Sequence, residues 1–421
     1  MSLRCPLKVA SSSRISWIGD EGVLTYRDLD ALADAWAASL AQKGVRPGSR
    51  VAFLPHPTPQ TAALFFGIWR LGAAACPLHL RLLPSQREAL LKRLEADVFV
   101  PDGELPAAAH LSFDEIDPEL ASLFLMTSGS TGEPKIAALS FRNLYANAKT
   151  VLSPLDLRSE DRWLLQLPLF HVGGIGILIR CILAGAAIVS THLYPHITHL
   201  SCVPTQLYRA TPVYQTLRCV LLGGAPVPSY PERLPIVVTY GLTEMASMVL
   251  AKSRPVDGYL GFALPNREIK LGCDGEIFVR GECLFQGYLQ EGKIEPPNPW
   301  FATGDLAHLD PVHGIQIRGR KDWQFISGGE NIQPEEIEQH ILQIPGVKEV
   351  IVIPRPDPEF GHRPAAFVSG ELDLTTMREY LRDRLPKYKI PVALSVVQEL
   401  PKKGLKVDRG AFLRVLSVCQ T

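Results

Sequence analysis

The fold is indicated most clearly by one segment, Met126-Thr127-Ser128-Gly129-Ser130-Thr131-Gly132-Glu133-Pro134-Lys135. An apolar stretch, Leu120–Met126, leads into it and is typical of a buried strand. Glycines let the backbone fold closely around an anion and present N–H groups to it, while hydroxyls add donors and Lys135 adds a positive charge. It is not a Walker A loop, because no Gly-Lys-Ser/Thr follows the first glycine at the required distance. We therefore predict a phosphate-binding loop, with a flexible Ser/Gly linker as the alternative.

The sequence on the N-terminal side of this segment alternates between helical and strand patterns. Thr25-Tyr26-Arg27-Asp28 has the spacing of a capping box, and apolar residues then recur at helical spacing as far as Leu40. A short strand at Arg50–Leu54, a helix at Ala62–Leu71 and a small-residue strand at Gly72–Pro77 follow. Such alternation predicts an α/β fold in which helices flank open, mostly parallel sheets.

The pattern changes from about Arg318 onwards. A helix, two strands and a second helix are predicted at Pro334–Ile337, Lys348–Ile353, Ala365–Val368 and Thr375–Leu385. These elements would form a compact α+β unit. We therefore predict two domains, a large one at 1–318 and a small one at 319–421, with a hinge at Gly319–Trp323.

Composition excludes several classes of function. Lys+Arg and Asp+Glu both total 43, so the net charge of zero gives no support to a nucleic-acid or anionic-membrane partner. Eight cysteines contain no CxxC pair and are expected to be reduced thiols rather than zinc ligands or disulfides. The longest apolar stretch, Val172–Val189, contains Arg180 and four glycines, so buried helix or strand is expected there. Without the apolar core of a signal peptide, the N-terminus favours a cytoplasmic protein.

Seven motifs in the same order resemble those of the adenylate-forming superfamily, which includes acyl-CoA synthetases, luciferases and peptide-synthetase adenylation domains. They are Thr127–Lys135, Pro168–His171, Leu222–Pro226, Tyr240–Glu244, Thr303–Asp305, Gly319–Asp322 and Lys406–Arg409. The resemblance covers nearly the whole chain. It implies a large domain that binds ATP and an acid, a small mobile lid domain, and Mg²⁺ and CoA as further reactants. The implied activity is AMP-forming ligation of a carboxylic acid to a thiol through an acyl-adenylate.

The resemblance also implies a role for individual residues. Those expected at the phosphates are Thr127, Ser128, Gly129, Ser130, Thr131, Gly132 and Lys135. Those expected at the adenine and ribose are Gly223, Gly224, Ala225, Tyr240, Gly241, Thr243, Asp305 and Arg320. Glu244 and Thr131 would hold magnesium, Lys406 would act in adenylation, and His171 would line the acyl pocket.

These roles agree with what the chemistry needs. A carboxylate that attacks the α-phosphate of ATP is opposed by charge repulsion, which a metal ion, backbone donors and a lysine can offset. Magnesium binds few protein oxygens and keeps water, which suits Glu244 with Thr131 nearby. Without the resemblance, Glu244 would be interpreted as a solvated surface acid, Asp305 as a turn residue and His171 as a core histidine.

Two motifs depart from the superfamily pattern. The residue before Lys406 is Leu405 rather than the usual glycine, so Lys402 and Lys403 remain alternatives for the adenylation lysine. At the hinge, an alignment on Ser327-Gly328-Gly329 puts Trp323 at the position of the usual aspartate and Asp322 one place earlier, so both remain candidates for the hinge residue.

A second group of histidines could suggest a metal site. His192, His196 and His199 are irregularly spaced and have no acidic residue between them, so structural roles are favoured.

Three local segments resemble the 2-succinylbenzoate–CoA ligases of menaquinone biosynthesis: 198–207 (THLSCVPTQL), 240–247 (YGLTEMAS) and 327–338 (SGGENIQPEEIE). That substrate has a second, aromatic carboxylate, for which His171, Ser201 and Thr205 are candidate contacts. The alternatives are an acyl-CoA ligase for another aryl or fatty acid, and a non-catalytic nucleotide-binding homologue. The sequence leaves the oligomeric state open, a homo-oligomer included.

Overall fold

The computed structural model describes residues 2–10, 12–106, 112–127, 134–203, 206–207, 215–223, 233–255, 257–403, 406–410 and 412, with only the backbone of 403 and 406. The α-helices in these ranges are α1 (Pro6–Ala10), α2 (Tyr26–Gln42), α3 (Pro59–Arg70), α4 (Pro84–Leu94), α5 (Phe141–Val151), α6 (Val172–Ala184), α7 (Pro334–Ile341) and α8 (Leu374–Arg382).

The strands of the first half are β1 (Leu3–Arg4), β2 (Ile15–Gly19), β3 (Gly22–Thr25), β4 (Arg50–Phe53), β5 (Ala74–Pro77), β6 (Val98–Val100), β7 (Glu115–Ile116), β8 (Ala121–Thr127), β9 (Lys135–Ser140), β10 (Arg162–Leu164), β11 (Ala187–Val189), β12 (His199–Cys202), β13 (Cys219–Leu222), β14 (Ile236–Leu242) and β15 (Ser247–Ser253). Those of the second half are β16 (Arg267–Leu271), β17 (Glu276–Gly281), β18 (Gly287–Gln290), β19 (Lys293–Glu295), β20 (Phe301–Asp310), β21 (Gly314–Arg320), β22 (Phe325–Ser327), β23 (Glu330–Ile332), β24 (Val347–Asp357), β25 (Gly361–Gly370), β26 (Ala393–Val397), β27 (Lys402–Lys403) and β28 (Lys406–Val407).

The largest sheet has eight strands in the order β15-β14-β13-β12-β10-β11-β2-β3. Its six inner strands run parallel, and β15 and β3 are antiparallel edges. β12 and β13 are buried along their whole length, as expected for parallel strands covered on both faces. The predicted α/β class with mostly parallel sheets is confirmed.

A second sheet of seven strands has the order β19-β18-β9-β8-β5-β4-β6. β8, β5, β4 and β6 are parallel, whereas β9, β18 and β19 are antiparallel additions. One apolar core joins this sheet to the eight-stranded one through helices that lie between them. It includes Trp36 of α2, Phe65 of α3, Leu123 of β8, Trp163 of β10 and Ile177 of α6.

Local signals explain the helices that fill this core. Thr25 and Asp28 form both hydrogen bonds of the predicted capping box at the start of α2. Thr58 caps α3 and Pro59 occupies its first turn, where a missing N–H costs nothing. The apolar stretch containing Arg180 forms α6 and then β11, as predicted for buried helix or strand. In the described parts of the chain, no helix has the length and apolar character needed to cross a membrane.

The C-terminal part has a core of its own. The three-stranded sheet β24-β25-β26 is covered by α7 and α8, and its apolar core is built from residues between Ile332 and Leu385. The helices and strands predicted here are present with slightly different ends. A four-stranded sheet, β16-β17-β20-β21, precedes this part and leads into it through Arg320. The domain boundary and the hinge stay predictions.

A buried ion-pair cluster ties the N-terminal segment to α2 and α3. The side chain of Arg70 is fully buried and donates to Asp30 at 2.5 Å and to Asp34 at 2.7 Å. Lys8 approaches the same two carboxylates at 3.0 and 2.7 Å. Removing one member would leave charge buried without its partner.

We predict that Arg70→Met lowers the free energy of unfolding of the N-terminal part by about 3 kcal/mol, because Asp30 and Asp34 lose their main counter-charge. Urea unfolding followed by circular dichroism measures the loss. The exposed Arg27 provides a control, and Arg27→Met should leave the midpoint unchanged. Equal midpoints for both variants would contradict the structural role of this cluster.

Candidate active site

The two ends of the predicted phosphate loop meet at adjacent strands. β8 ends at Thr127 and β9 begins at Lys135, and these two residues are paired in the antiparallel register. Thr127 is half-buried and Lys135 is exposed. The other predicted phosphate contacts, Ser128 to Gly132, lie outside the described residues. The structure therefore fixes where the loop begins and ends, and its phosphate contacts stay predictions.

Lys135 belongs to a cluster that the sequence motifs do not reveal. Its ammonium nitrogen lies 4.9 Å from the centre of the Tyr288 ring, a cation–π distance. The hydroxyl of Tyr288 donates a hydrogen bond of 2.6 Å to Oε1 of Glu244. Tyr288 thus connects the lysine at the end of the phosphate loop with the acid predicted to hold magnesium.

Glu244 is held from both its backbone and its side chain. It lies in a 3-10 turn, Thr243–Met245, that directly follows β14. Its carbonyl oxygen accepts a hydrogen bond of 2.8 Å from the Phe285 amide. With a half-buried side chain that accepts from Tyr288, Glu244 is not a freely solvated surface acid.

The donor set around Glu244 fits magnesium. Tyr288 donates to Oε1, and no described residue donates to Oε2, which leaves that oxygen for a metal ion. No group of three His, Cys, Asp or Glu side chains suited to a metal occurs in the described parts of the chain. One carboxylate is nevertheless what magnesium needs when phosphates and water supply its other oxygens.

The backbone between Tyr240 and Glu244 is tightly constrained. The β14–β15 register shifts at Tyr240 and Gly241, and a Cβ added to Gly241 would lie 2.0 Å from the carbonyl oxygen of Ser247. Ala246 and Ser247 have positive φ angles of 55° and 127°, which are uncommon for residues with side chains. Such strained positions concentrate at functional sites.

Asp305 joins the two predicted nucleotide motifs. It accepts a 2.7 Å hydrogen bond from the Tyr240 hydroxyl and lies 3.0 Å from the Arg320 guanidinium. Asp305 and Arg320 are also cross-strand partners in the β20–β21 ladder. Gly304, before Asp305, has φ of +72°, and a Cβ there would lie 2.7 Å from the same guanidinium. Asp305 therefore has partners from two sheets and does more than form a turn.

Burial changes the acidity of the two site tyrosines. Loss of solvent and then the nearby Asp305 carboxylate raise the pKa of Tyr240 well above its usual value. Burial and Glu244 raise the pKa of Tyr288 in the same way. Both hydroxyls are therefore protonated donors at neutral pH. For Arg320, burial acts to lower the pKa, but the charges of Asp305 and Asp322 outweigh it and raise the value.

Two residues of the predicted hinge segment, Arg320 and Lys321, form ion pairs with nearby carboxylates. Arg320 also donates to Asp322 at 3.1 Å. Lys321 lies 2.6 Å from Asp274, in the turn between β16 and β17, and 2.7 Å from Glu276, the first residue of β17. These contacts anchor the start of the C-terminal part on the four-stranded sheet.

The structure describes some of the other residues predicted to lie at the adenine. Gly223 directly follows β13, is half-buried, and its amide donates to the carbonyl of Cys202 at 3.3 Å. Gly224 and Ala225 lie outside the described residues. Gly241 is exposed and Thr243 half-buried beside Tyr240 and Glu244, as the motif order predicts.

His171 is exposed and precedes the first residue of α6. Its ring lies 4.7 Å from that of Phe170, which in turn lies 4.4 Å from the ring of His79. The interpretation as a buried core histidine is therefore wrong. A place at the mouth of the acyl pocket stays a prediction.

Of the three histidines His192, His196 and His199, the last has structural contacts, whereas the first two are exposed. His199 is fully buried, and its ring nitrogens contact the Thr198 hydroxyl at 3.0 Å and the Leu155 carbonyl at 3.2 Å. This agrees with the structural role that the sequence favoured over a metal site.

The three candidate adenylation lysines differ in their surroundings. The backbone of Lys406 belongs to a short hairpin in which Lys403 pairs with Lys406 and Lys402 pairs with Val407. The ammonium of Lys402 lies 2.7 Å from the carboxylate of Glu349 within the small sheet. This ion pair gives Lys402 a structural partner, whereas the side chains of Lys403 and Lys406 lie outside the described part, so the assignment of the adenylation lysine stays a prediction.

Arg180 is a buried cation that the motif analysis did not assign. It is only 3% exposed, and it donates to Ser247 at 3.2 Å and Asn147 at 3.4 Å. Burial and the nearby Arg267 lower its pKa to about 10, so it stays charged at neutral pH. No carboxylate forms an ion pair with Arg180 or Arg267 among the residues that the structure describes. The signal that could have identified it was a single charge within an apolar helix.

The contacts proposed for an aromatic carboxylate can be compared with this geometry. Ser201 is buried and its hydroxyl accepts from the Trp163 indole at 3.1 Å. Arg180 also lies near Trp163, with its guanidinium carbon 5.9 Å from the centre of the Trp163 ring. Thr205 lies outside the described residues.

Comparison with known proteins gives matches over nearly the whole chain. Residues 6–117 and 105–289 match the family model "AMP-binding enzyme", and 336–405 match "AMP-binding enzyme C-terminal domain". The 2-succinylbenzoate--CoA ligase of Escherichia coli K12 is 35% identical, covering 92% of each chain. The Bacillus subtilis o-succinylbenzoate CoA synthetase (MenE) bound to the acyl-adenylate intermediate OSB-AMP has 26% identity, 98% coverage of both chains and a TM-score of 0.87. Its complex with ATP and magnesium gives 26% identity, coverage of 96% and 97%, and a TM-score of 0.84.

We predict that the buried tyrosines make the folded state sensitive to alkali. Above about pH 10 the unfolded chain releases tyrosine protons that the folded protein retains, so stability falls as pH rises. The double variant Tyr240→Phe with Tyr288→Phe should lose less stability between about pH 9 and 11 than the unmodified protein. Urea unfolding across this range measures the slope.

The control is Tyr380→Phe, because the partner of that hydroxyl is an amide oxygen of Gln343 rather than a carboxylate. It should keep the slope of the unmodified protein. Identical slopes for all three proteins would show that the Asp305 and Glu244 contacts do not hold these protons.

Proposed function

We propose a function from the premise that this chain belongs to the AMP-binding enzyme family: it ligates 2-succinylbenzoate to CoA, with ATP converted to AMP and pyrophosphate. This reaction is a step of menaquinone biosynthesis. The observation that carries the general activity is two chains of contacts at the ends of the segment Tyr240–Glu244. At one end, Tyr288 connects Lys135 with Glu244. At the other end, Asp305 connects Tyr240 with Arg320.

The choice of substrate is supported by the relatives and by the charge of Arg180, for which the described residues supply no carboxylate partner. A buried guanidinium without a carboxylate is costly unless an anion joins it. Arg180 folds back beside Gly176, half-way between its own position and His171, and contacts Ser247 just after the Glu244 turn. Arg180 therefore reaches from the helix that follows His171 to the strand that follows the Glu244 turn. A second carboxylate on the substrate would supply the missing charge.

In the first half-reaction the succinyl carboxylate attacks the α-phosphorus of ATP. One P–O bond forms, the bond to the β-phosphate breaks, and pyrophosphate leaves. Lys406 stabilises the charge that develops on the α-phosphate, and Lys135 stabilises the leaving pyrophosphate. Asp305 accepts hydrogen bonds from the ribose hydroxyls, while Tyr240 and Arg320 keep its carboxylate in position.

Magnesium, when bound, neutralises phosphate charge at this site. Glu244 would hold it through Oε2, with Thr131 as the second predicted contact. Tyr288 keeps the Glu244 carboxylate oriented by donating to the opposite oxygen.

In the second half-reaction the CoA thiol attacks the acyl carbonyl and AMP leaves. We place a rotation of the small domain, residues 319–421, between the two steps, at Gly319–Trp323. The exposed ion pair between Lys321 and Asp274 suits a contact that breaks and reforms, because an exposed pair contributes little free energy. The cytoplasmic location predicted from the sequence, and the oligomeric state, stay open to experiment.

The decisive experiment is a CoA-thioester assay with 2-succinylbenzoate, benzoate, octanoate and acetate in parallel. We expect product only with 2-succinylbenzoate. Product with another acid alone would leave the ligase activity standing and reject the substrate. No pyrophosphate release with any acid would favour a non-catalytic homologue.

We predict that Lys406→Ala separates the half-reactions. Loss of its charge should slow ATP–pyrophosphate exchange by about 100-fold or more, because the transition-state charge on the α-phosphate is no longer stabilised. Thioester formation from preformed acyl-adenylate should be unchanged. Lys402→Ala is the matched control for the exchange reaction, since Lys402 is paired with Glu349. A larger effect from Lys402→Ala would move the catalytic role to that residue.

We predict that Arg180→Met changes substrate preference. Its kcat/KM for 2-succinylbenzoate should fall by about 30-fold or more, because the ring carboxylate loses its charged partner. The value for 4-oxo-4-phenylbutanoate, which lacks that carboxylate, should change little. Arg180→Lys keeps the charge and should retain part of the preference. An equal loss for both acids would assign Arg180 a purely structural role.

A further inference from the structure

The C-terminal signature segment is fixed by Arg409, three residues after the predicted adenylation lysine. Arg409 is buried, and its guanidinium donates to the carboxylate of Glu338 on α7 and to the carbonyl of Val352 on β24. Glu338 is itself held by the Val352 amide at 2.6 Å. Burial raises the pKa of Glu338 and the charge of Arg409 opposes that rise. The guanidinium therefore has a defined position within the small domain.

The Arg409 guanidinium also stacks on Trp323 of the predicted hinge segment. Its central carbon lies 4.4 Å from the centre of the Trp323 ring. Trp323 ends the 3-10 turn Lys321–Trp323 that directly follows β21, and its side chain is half-buried. A guanidinium stacked on an indole at this distance is a favourable cation–π contact, stronger when shielded from water.

Neighbouring residues of the same turn contact a different part of the chain. Arg320 binds Asp305, and Lys321 binds Asp274 and Glu276, all on the four-stranded sheet. Two residues after Lys321, Trp323 contacts the segment that carries the lysine. One short turn therefore touches the nucleotide-side carboxylate at one end and the lysine-bearing segment at the other.

The segment between Arg409 and Lys406 can transmit this contact. Lys406 and Val407 pair with Lys402 and Lys403 in a hairpin, and the Asp408 amide donates to the Pro401 carbonyl at 2.7 Å. Fixing Arg409 thus fixes the backbone of the hairpin relative to the turn.

We propose that Trp323 is a positioning residue for adenylation, which acts through Arg409 to set the place of the Lys406 hairpin. This rests on the proposed function and adds a residue to it. Of the two candidate hinge positions, Asp322 and Trp323, the second carries an indole that contacts the segment bearing the predicted adenylation lysine.

The test compares the two half-reactions in Trp323→Leu and Trp323→Phe. Trp323→Leu removes the aromatic face and should lower kcat for ATP–pyrophosphate exchange about tenfold, with the KM for ATP unchanged within about twofold. Thioester formation from preformed acyl-adenylate should keep its rate, because Lys406 acts only in the first step. Trp323→Phe retains an aromatic face and should restore most of the exchange rate.

A matched control uses another stacked pair of the small domain. Arg384 lies 3.9 Å from the ring centre of Tyr380 on α8. Tyr380→Leu removes the same kind of contact and should change neither half-reaction. The second control is the double variant Trp323→Leu with Lys406→Ala. It should exchange pyrophosphate no more slowly than Lys406→Ala alone, because the indole acts through that lysine.

Equal slowing of both half-reactions, or a further loss in the Lys406→Ala background, would overturn the positioning role. An unchanged exchange rate in Trp323→Leu would overturn it as well. These outcomes are distinct from failure of the proposed function, in which the unmodified chain itself would show no pyrophosphate exchange with 2-succinylbenzoate.

Discussion

The Asp305 carboxylate is the point where three parts of the molecule meet. Tyr240 reaches it from the end of the eight-stranded sheet, and Arg320 reaches it from the last residue of the four-stranded sheet. Arg320 is also where the C-terminal part begins, with its amide donating to Glu335 of α7 at 3.1 Å. The hydrogen bonds from Tyr240 and Arg320 orient the half-buried Asp305 carboxylate, and the guanidinium also neutralises its charge. The predicted nucleotide contacts and the predicted hinge segment therefore share one anchoring group.

Much of the fold could be predicted because its signals are local. The capping box at Thr25, the proline at the start of α3 and the apolar run of β8 each act within a few residues. The site motifs were also predictable by resemblance, and the structure brings Tyr240, Asp305 and Arg320 into contact.

The contacts that the sequence did not reveal all join distant segments. Tyr288 and Glu244 are 44 positions apart, and Arg180 and Ser247 are 67 apart. Neither pair has a periodicity or a spacing that a single sequence could display. Arg180 was visible as a charge within an apolar helix, but its meaning depended on which polar groups the fold placed around it. The domain boundary is a similar case, because separate cores make a division plausible without identifying the residue that moves.

The packing of Gly241 against Ser247 has a consequence for how the site tolerates change. The carbonyl of Ser247 fills the space that any side chain at position 241 would need. Even a methyl group would force β14 and β15 apart, and Glu244 would then move relative to Tyr240, which donates to Asp305. The spacing between Glu244 and Tyr240 therefore depends on the absence of a Cβ atom at position 241. Substitutions that change the properties of this enzyme can occur at the surrounding side chains, whereas position 241 has room for glycine alone.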